Sequence, residues 1–221
     1  MIFKLAYVFI MKIDKIFIIN LDYREDRRES AKNQVEKLIQ GTNLTYEFFI
    51  ASKPLECPDD YLVEPPAWFK NGNFDEYRRG SYGCMQSHIH VMEIAKERGY
   101  TSIMILEDDI GFSNVNLNEV LKNVIIDADM LYVSGRDEPG KTEKITDHLK
   151  LTHGTMTTGG YIVNEKAINY ILKHIKNYKK EIDLFYRDVV QQKLCCCSLH
   201  PYIGIQLQSY SDILNRVVKY F

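Results

Sequence analysis

The sequence predicts one mixed α/β domain, and three observations carry that reading. The chain opens with a strand, a helix and a second strand in succession, the pattern of a sheet joined by crossover helices. A short run at residues 101–106 (TSIMIL) is almost wholly apolar, as a central strand covered on both faces is. The 221 residues, 45% of them hydrophobic, suffice for one substantial core and are few for two.

Residues 2–11 are apolar except for Lys4. A membrane-spanning helix needs about 20 such residues, twice this length, and no run of small residues marks a cleavage site. Residues 1–11 are therefore set apart as an apolar extension and residues 12–221 as the domain, with no transmembrane segment expected. Residues 15–21 (KIFIINL) form a β-branched and aromatic run of strand length. It stops at Asp22, a fair N-cap with Glu25 three residues on, after which Ala31, Val35, Leu38 and Ile39 recur on one helical face.

A second strand over residues 45–50 follows the break at Gly41. Residues 52–80 carry Pro54, Pro58, Pro65 and Pro66 without a sustained period and read as a long ordered loop over a substrate. Helical spacing returns over residues 82–98. Beyond residues 101–106 the pattern gives a helix near 116–125, a strand over 130–133 and a polar loop over 135–147. The TTGG of residues 157–160 reads as a tight turn, or as a place where missing side chains let backbone amides approach a ligand. A strand over 161–163 then leads into the cleanest helix, capped by Asn164, with Ile168, Ile171, Leu172 and Ile175 at i, i+3, i+4 and i+7.

With 28 basic and 30 acidic residues the net charge is -2, so no global field favours nucleic acid or an anionic membrane, and any anion must be held by a local site. Five cysteines is an odd count, three are consecutive at 195–197, and none has Cys-x-x-Cys spacing. They read as reduced, buried thiols of a cytoplasmic protein.

The chemistry concentrates in two places. Glu107, Asp108 and Asp109 directly follow a buried strand, where like charges raise one another's pKa unless a cation compensates. In an extended segment Glu107 and Asp109 project to one side and can share a divalent metal, while Asp108 points away toward a ribose hydroxyl or a backbone amide. A solvated acidic turn is the competing reading. The second group is Asn20, Asp22, Arg24, Arg27 and Arg28 at the first strand's exit, a good place to hold a nucleotide or its phosphates, unless Asp22, Glu25 and Asp26 merely neutralise the arginines. His88 and His90 sit in an apolar helical stretch, where a histidine is more often structural than catalytic.

Taken in order, INLDYREDRR (residues 19–28), GCMQSH (83–88), ILEDDI (105–110), TTGGYIV (157–163), the ID of 182–183 and QSYSDI (208–213) resemble glycosyltransferase family 25, the lipopolysaccharide-type and collagen galactosyltransferases. The resemblance runs from residue 12 to 213, and its specificity lies in the ordered set. It implies a GT-A-type fold, a Rossmann-like mixed sheet flanked by helices, with a UDP-sugar donor, usually UDP-galactose or UDP-glucose, and Mn²⁺ or a similar ion such as Mg²⁺. It places the acidic motif on Glu107, Asp108 and Asp109, with Glu107 and Asp109 as metal ligands. Asn20, Arg24, Arg27, Arg28, His88, Asp108, Thr158, Gly159, Ser211 and Asp212 fall to the donor site, the last two in a motif that closes it. TTGGY departs from an expected Thr-Gly-Ala-Tyr.

The resemblance also implies inversion at the sugar, which calls for a carboxylate to take the acceptor proton. Asp183 is the candidate base, with Asp188 and Asp212 behind it. The acceptor would be a glycan or a collagen-like protein. Three other readings compete: a nucleotidyltransferase, which would show a glycine-rich loop near the first strand, a phospho-acceptor module, whose acidic pair follows an early strand, and a glycan- or nucleotide-sugar-binding protein without turnover.

Overall fold

A computed structural model of the chain describes residues 11–64, 73–213 and 216–218. Strand β1 (Lys15–Asn20) leads through helix α1 (Glu25–Leu38) into β2 (Tyr46–Ile50), and α2 (Phe74–Glu97) precedes β3 (Ser102–Glu107). Then come β4 (Ile110–Phe112), α3 (Leu117–Leu121), β5 (Met130–Asp137), β6 (Thr142–Lys144), β7 (Leu149–Thr152) and β8 (Thr155–Asn164). The chain continues through α4 (Glu165–His174), a 3-10 turn (Ile175–Asn177), α5 (Ile182–Phe185), a π-helical turn (Tyr186–Val190) and β9 (Cys196–Leu199). Short strands β10 (Gly204–Gln206), β11 (Ser209–Ser211) and β12 (Arg216–Val218) follow.

Eight strands form one mixed sheet in the order β2-β1-β3-β8-β5-β9-β7-β6. β1 runs parallel to both β2 and β3, β5 parallel to β9, and the other pairs are antiparallel. Helices cover both faces, so the inner strands are apolar on both sides and alternate residues feed two cores. Phe17, Ile19, Ile103 and Ile105 pack with α2, α4 and α5 on one face. Ile16, Ile18, Met104 and Leu106 pack with α1 and α3 on the other. This is the mixed sheet flanked by helices that the sequence predicts.

Several boundaries differ, each for a physical reason. α1 begins at Glu25, not Asp22: Arg24 occupies the cap position, and the Asp22 carboxylate instead accepts the Tyr23 amide at 2.8 Å. α2 begins at Phe74, inside the expected loop, because Asn73 caps it by accepting from the amides of Asp75 and Glu76. Its first turns carry Glu76, Arg79 and Gly80 toward a cleft, which hides the apolar period there. TTGG is not a turn but lies inside β8, and β6 forms within the expected polar loop. The expected helix near 116–125 is confined to the five residues of α3. All five cysteines are free thiols, with Cys196 and Cys197 buried in β9. The apolar extension, apart from a buried Met11, and residues 65–72 of the long loop lie outside the described residues.

Candidate active site

β1 and β3 run parallel and end side by side, with Ile19 opposite Glu107. The chain leaves β1 for β2 on one side and returns as β3 on the other, so a crevice opens at their carboxyl ends. A cleft of about 670 Å³ lies there. Its walls come from both strand ends, residues 51–54 after β2, the first half of α2, the middle of β8, the start of α5 and residues 206–213.

Glu107, Asp108 and Asp109 all line it. The strand stops at Glu107 and the next two residues turn, so the extended alternation expected from the sequence does not hold, and Asp108 does not point away. Asp108 is buried, accepting from Arg27 Nη1 at 2.7 Å and Asn20 Nδ2 at 2.8 Å. Burial still outweighs these partners and raises its pKa. Glu107 accepts from Thr158 Oγ1 at 2.5 Å and faces His88 Nε2 at 3.4 Å. Burial alone would push Glu107 up, but the His88 imidazole and the Thr158 hydroxyl hold it below the usual value. Asp109 Oδ1 is buried without a hydrogen-bond partner. Burial, then the Glu107 charge, pushes Asp109 up to about 7.

Thr158 is aimed by a bulge. β5 and β8 pair at Ser134–Gly160 and next at Arg136–Met156, leaving extra residues on β8, and Thr157 sits at φ 74, a strained backbone for a β-branched residue. Thr157 and Thr158 thereby face the cleft. Gly160 is needed for packing instead: a Cβ there would lie 2.8 Å from Ile110 Cδ1. Gly83 in α2 lets residues 52–54 lie against the helix, since a Cβ would collide with the Ser52 carbonyl oxygen and lie 2.9 Å from Pro54 Cδ. Ser87 secures that segment by accepting the Ser52 amide at 2.8 Å.

The arginines divide. Arg27 lines the cleft and donates to Asp108 and, from Nη2, to the Tyr210 carbonyl at 2.6 Å. Arg24 binds Asp212 at 2.5 Å and Asp26 at 2.9 Å, and Tyr23 also donates to Asp212 at 2.8 Å. These contacts clip the late chain to the first helix. Arg28, expected at the donor site, does not reach the cleft lining: its guanidinium lies 4.1 Å over the Phe48 ring. Gly159 also falls outside the lining, packed toward Gln206 and Ser134. Asn20 is outside the lining too and touches it only through its hydrogen bond to Asp108.

His88, Asp183, Ser211 and Asp212 all line the cleft. Asp183 stands in the first turn of α5, where burial and then the Glu181 charge push it up to about 6. Asp188, a reserve candidate, is held low by Arg187 despite partial burial, and lies outside the lining. Cys84, Tyr77, Glu181 and Gln206 are lining residues that the sequence reading left out. Cys84 alone had a signal, lying one helical turn before His88.

The family model for glycosyltransferase family 25 (LPS biosynthesis protein) matches residues 13–186. A "Glycosyltransferase 25 family member" of Drosophila melanogaster is 32% identical over 107 residues, 46% of this chain and 17% of that protein. "Procollagen galactosyltransferase 1-B" of Xenopus laevis is 25% identical over 177 residues, 73% of this chain and 28% of its own length. "Lipooligosaccharide biosynthesis protein lex-1" of Haemophilus influenzae is 27% identical over 155 residues, 61% of this chain and 50% of its own. The chain thus spans half or less of each of these relatives. No helix among the described residues is long and apolar enough to cross a membrane. With the family model matched over residues 13–186, from the first strand to the start of the π-helical turn, the chain belongs to glycosyltransferase family 25.

Proposed function

We propose that this chain is a metal-assisted, inverting hexosyltransferase that moves galactose or glucose from a UDP-sugar to a hydroxyl of a glycan or a collagen-like protein. The observation that supports the reading is the meeting, in one cleft, of the Glu107–Asp109 acids, Arg27 and a separate raised carboxyl, Asp183.

Glu107 and Asp109 fit a hard divalent cation, Mn²⁺ or Mg²⁺. The buried Asp109 oxygen has no hydrogen-bond partner, burial and then the Glu107 charge push the group up to about 7, and carboxylate oxygens are the donors such ions take. When bound, the cation supplies charge neutralisation at the leaving diphosphate. Arg27, fixed by Asp108, presents a guanidinium to the same anion. Thr158 orients Glu107, and Asn20 orients Asp108. Asp212, held by Tyr23 and Arg24, and the neighbouring Ser211 close the donor side. Asp183, with Oδ1 accepting the Leu184 amide at 2.9 Å, titrates near enough to neutrality to take the acceptor's proton. The names of the relatives, one a procollagen galactosyltransferase and one a lipooligosaccharide biosynthesis protein, support the two acceptor classes.

The test is release of UDP from a panel of UDP-sugars, with and without Mn²⁺. Metal-dependent release from at least one sugar is expected, and Asp109→Ala should abolish it. Equal turnover by Asp109→Ala would remove the metal role, and no release from any sugar with acceptor extracts present would leave a binding protein.

A further inference from the structure

Three side chains of unlike chemistry converge inside the cleft. Ligand atoms of Cys84, His88 and Glu107 all lie within 4.8 Å of one another. Cys84 and His88 project from one face of α2, being four residues apart, and Glu107 meets them from the end of β3. His88 Nε2 is buried and makes no hydrogen bond, and the nearby Glu107 Oε1 is 3.4 Å away. The other ring nitrogen, Nδ1, is tied at 2.7 Å to Tyr161 Oη, itself 2.8 Å from Tyr186 Oη. That tether fixes the imidazole with Nε2 toward the glutamate. Metal-ligating histidines are oriented in this manner, by a hydrogen bond at the nitrogen that does not ligate. Thr158 orients the glutamate likewise.

We propose that Cys84, His88 and Glu107 form a three-ligand site for a borderline-soft divalent ion, Zn²⁺ above all, with a fourth position open to the cleft. Sulfur and imidazole favour such an ion over Mn²⁺ or Mg²⁺, whereas the Glu107–Asp109 oxygens favour the reverse. Ligand atoms around a tetrahedral Zn²⁺ stand roughly 3.3–3.8 Å apart, as bond lengths of about 2.0–2.3 Å require. The His88–Glu107 spacing already falls there, and Cys84 has to close by up to about 1 Å.

The step balances. The Cys84 thiol loses its proton to solvent as the Zn–Sγ bond forms, and neutral His88 gives its Nε2 lone pair while Nδ1–H donates to Tyr161 Oη. Thiolate and carboxylate together cancel the two charges of the ion, and a water completes the shell. Because Glu107 belongs to both donor sets, Zn²⁺ bound here displaces the hard cation and stops transfer. That consequence rests on the function proposed above, but the binding does not.

Co²⁺, which reports thiolate ligation by a near-ultraviolet charge-transfer band, tests the binding on the chelator-stripped full chain without donor or acceptor. One ion per chain should give the band, Zn²⁺ should displace it, and Cys84→Ser should abolish it while Cys57→Ser and Cys195→Ser keep it. On the unaltered protein, Zn²⁺ should slow alkylation of Cys84 by iodoacetamide at least tenfold, read by peptide mass spectrometry, so the result does not depend on a variant's folding. Absence of the band, its persistence in Cys84→Ser, or unprotected Cys84 overturns the site. Loss of transferase activity alone leaves these readouts untouched, so the two proposals fail separately.

Discussion

The Asp109 carboxylate stops 3.9 Å from Arg27 Nη1, because that nitrogen gives its hydrogen bond to Asp108 at 2.7 Å. One of two neighbouring acids is thereby neutralised and the other is left buried with an unmatched oxygen. Removing the second charge should relieve the protein. Asp109→Asn is expected to melt at a higher temperature than the parent in chelator while losing metal-dependent turnover. A melting temperature equal to or below the parent's would show that the charge is compensated.

The pH dependence follows from the same burial. Asp109 is raised to about 7 and Asp183 to about 6, above the ordinary carboxyl value. A raised acid binds its proton more tightly when folded, so its contribution to stability is whole below the unfolded pKa and is lost as pH rises through the folded one. Denaturant unfolding of the metal-free protein should therefore show a stability difference between Asp109→Asn and the parent that is negligible below about pH 4 and grows to its limit above about pH 7. A difference constant across that range would contradict the burial of the charge. Asp14 behaves oppositely: despite burial, its hydrogen bonds with Lys12, Thr101 and Ser102 hold it at about 2, so its contribution is lost only as pH falls toward that value.

Arg27 and Arg28 separate the cleft from its surroundings. Arg27→Ala is expected to raise the donor KM tenfold or more. Arg28→Ala should leave the kinetics unchanged and cost about 0.5–1 kcal/mol of stability from the lost ring contact. Equal kinetic defects in steady-state assays would return Arg28 to the donor site.

Adjacent arginines are indistinguishable by type, and helical phase separates them only once the helix start is known. Here the start shifts to Glu25, which the residue string masks because Asp22 has a better capping side chain than Arg24. The apolar strands were legible because the continuous apolar runs in KIFIINL and TSIMIL are insensitive to such shifts. The acidic triplet was legible as a charge deficit, but its geometry was not, since the turn after Glu107 is a tertiary outcome. Likewise TTGG carries turn residues, yet pairing with β3 and β5 draws it into a bulged strand.

Gly83 offers a test of the loop that walls the cleft. Alanine in a helix ordinarily gains up to about 1 kcal/mol over glycine. Here the added methyl meets Ser52 and Pro54, so Gly83→Ala should instead lower stability by about 1–3 kcal/mol and loosen residues 51–54, read as faster amide exchange. A rise in melting temperature would show that the segment yields without cost.

The pairing of β1 with β3 has one further consequence. Sliding β1 by two residues would keep every greasy side chain on its own side of the sheet, so burial by itself scarcely discriminates between the two alignments. That slip would carry the Asn20 amide about 7 Å from the Asp108 acid. A polar couple at the mouth of two oily ribbons thus favours one of their near-equivalent alignments over the other, as a key fits a single notch.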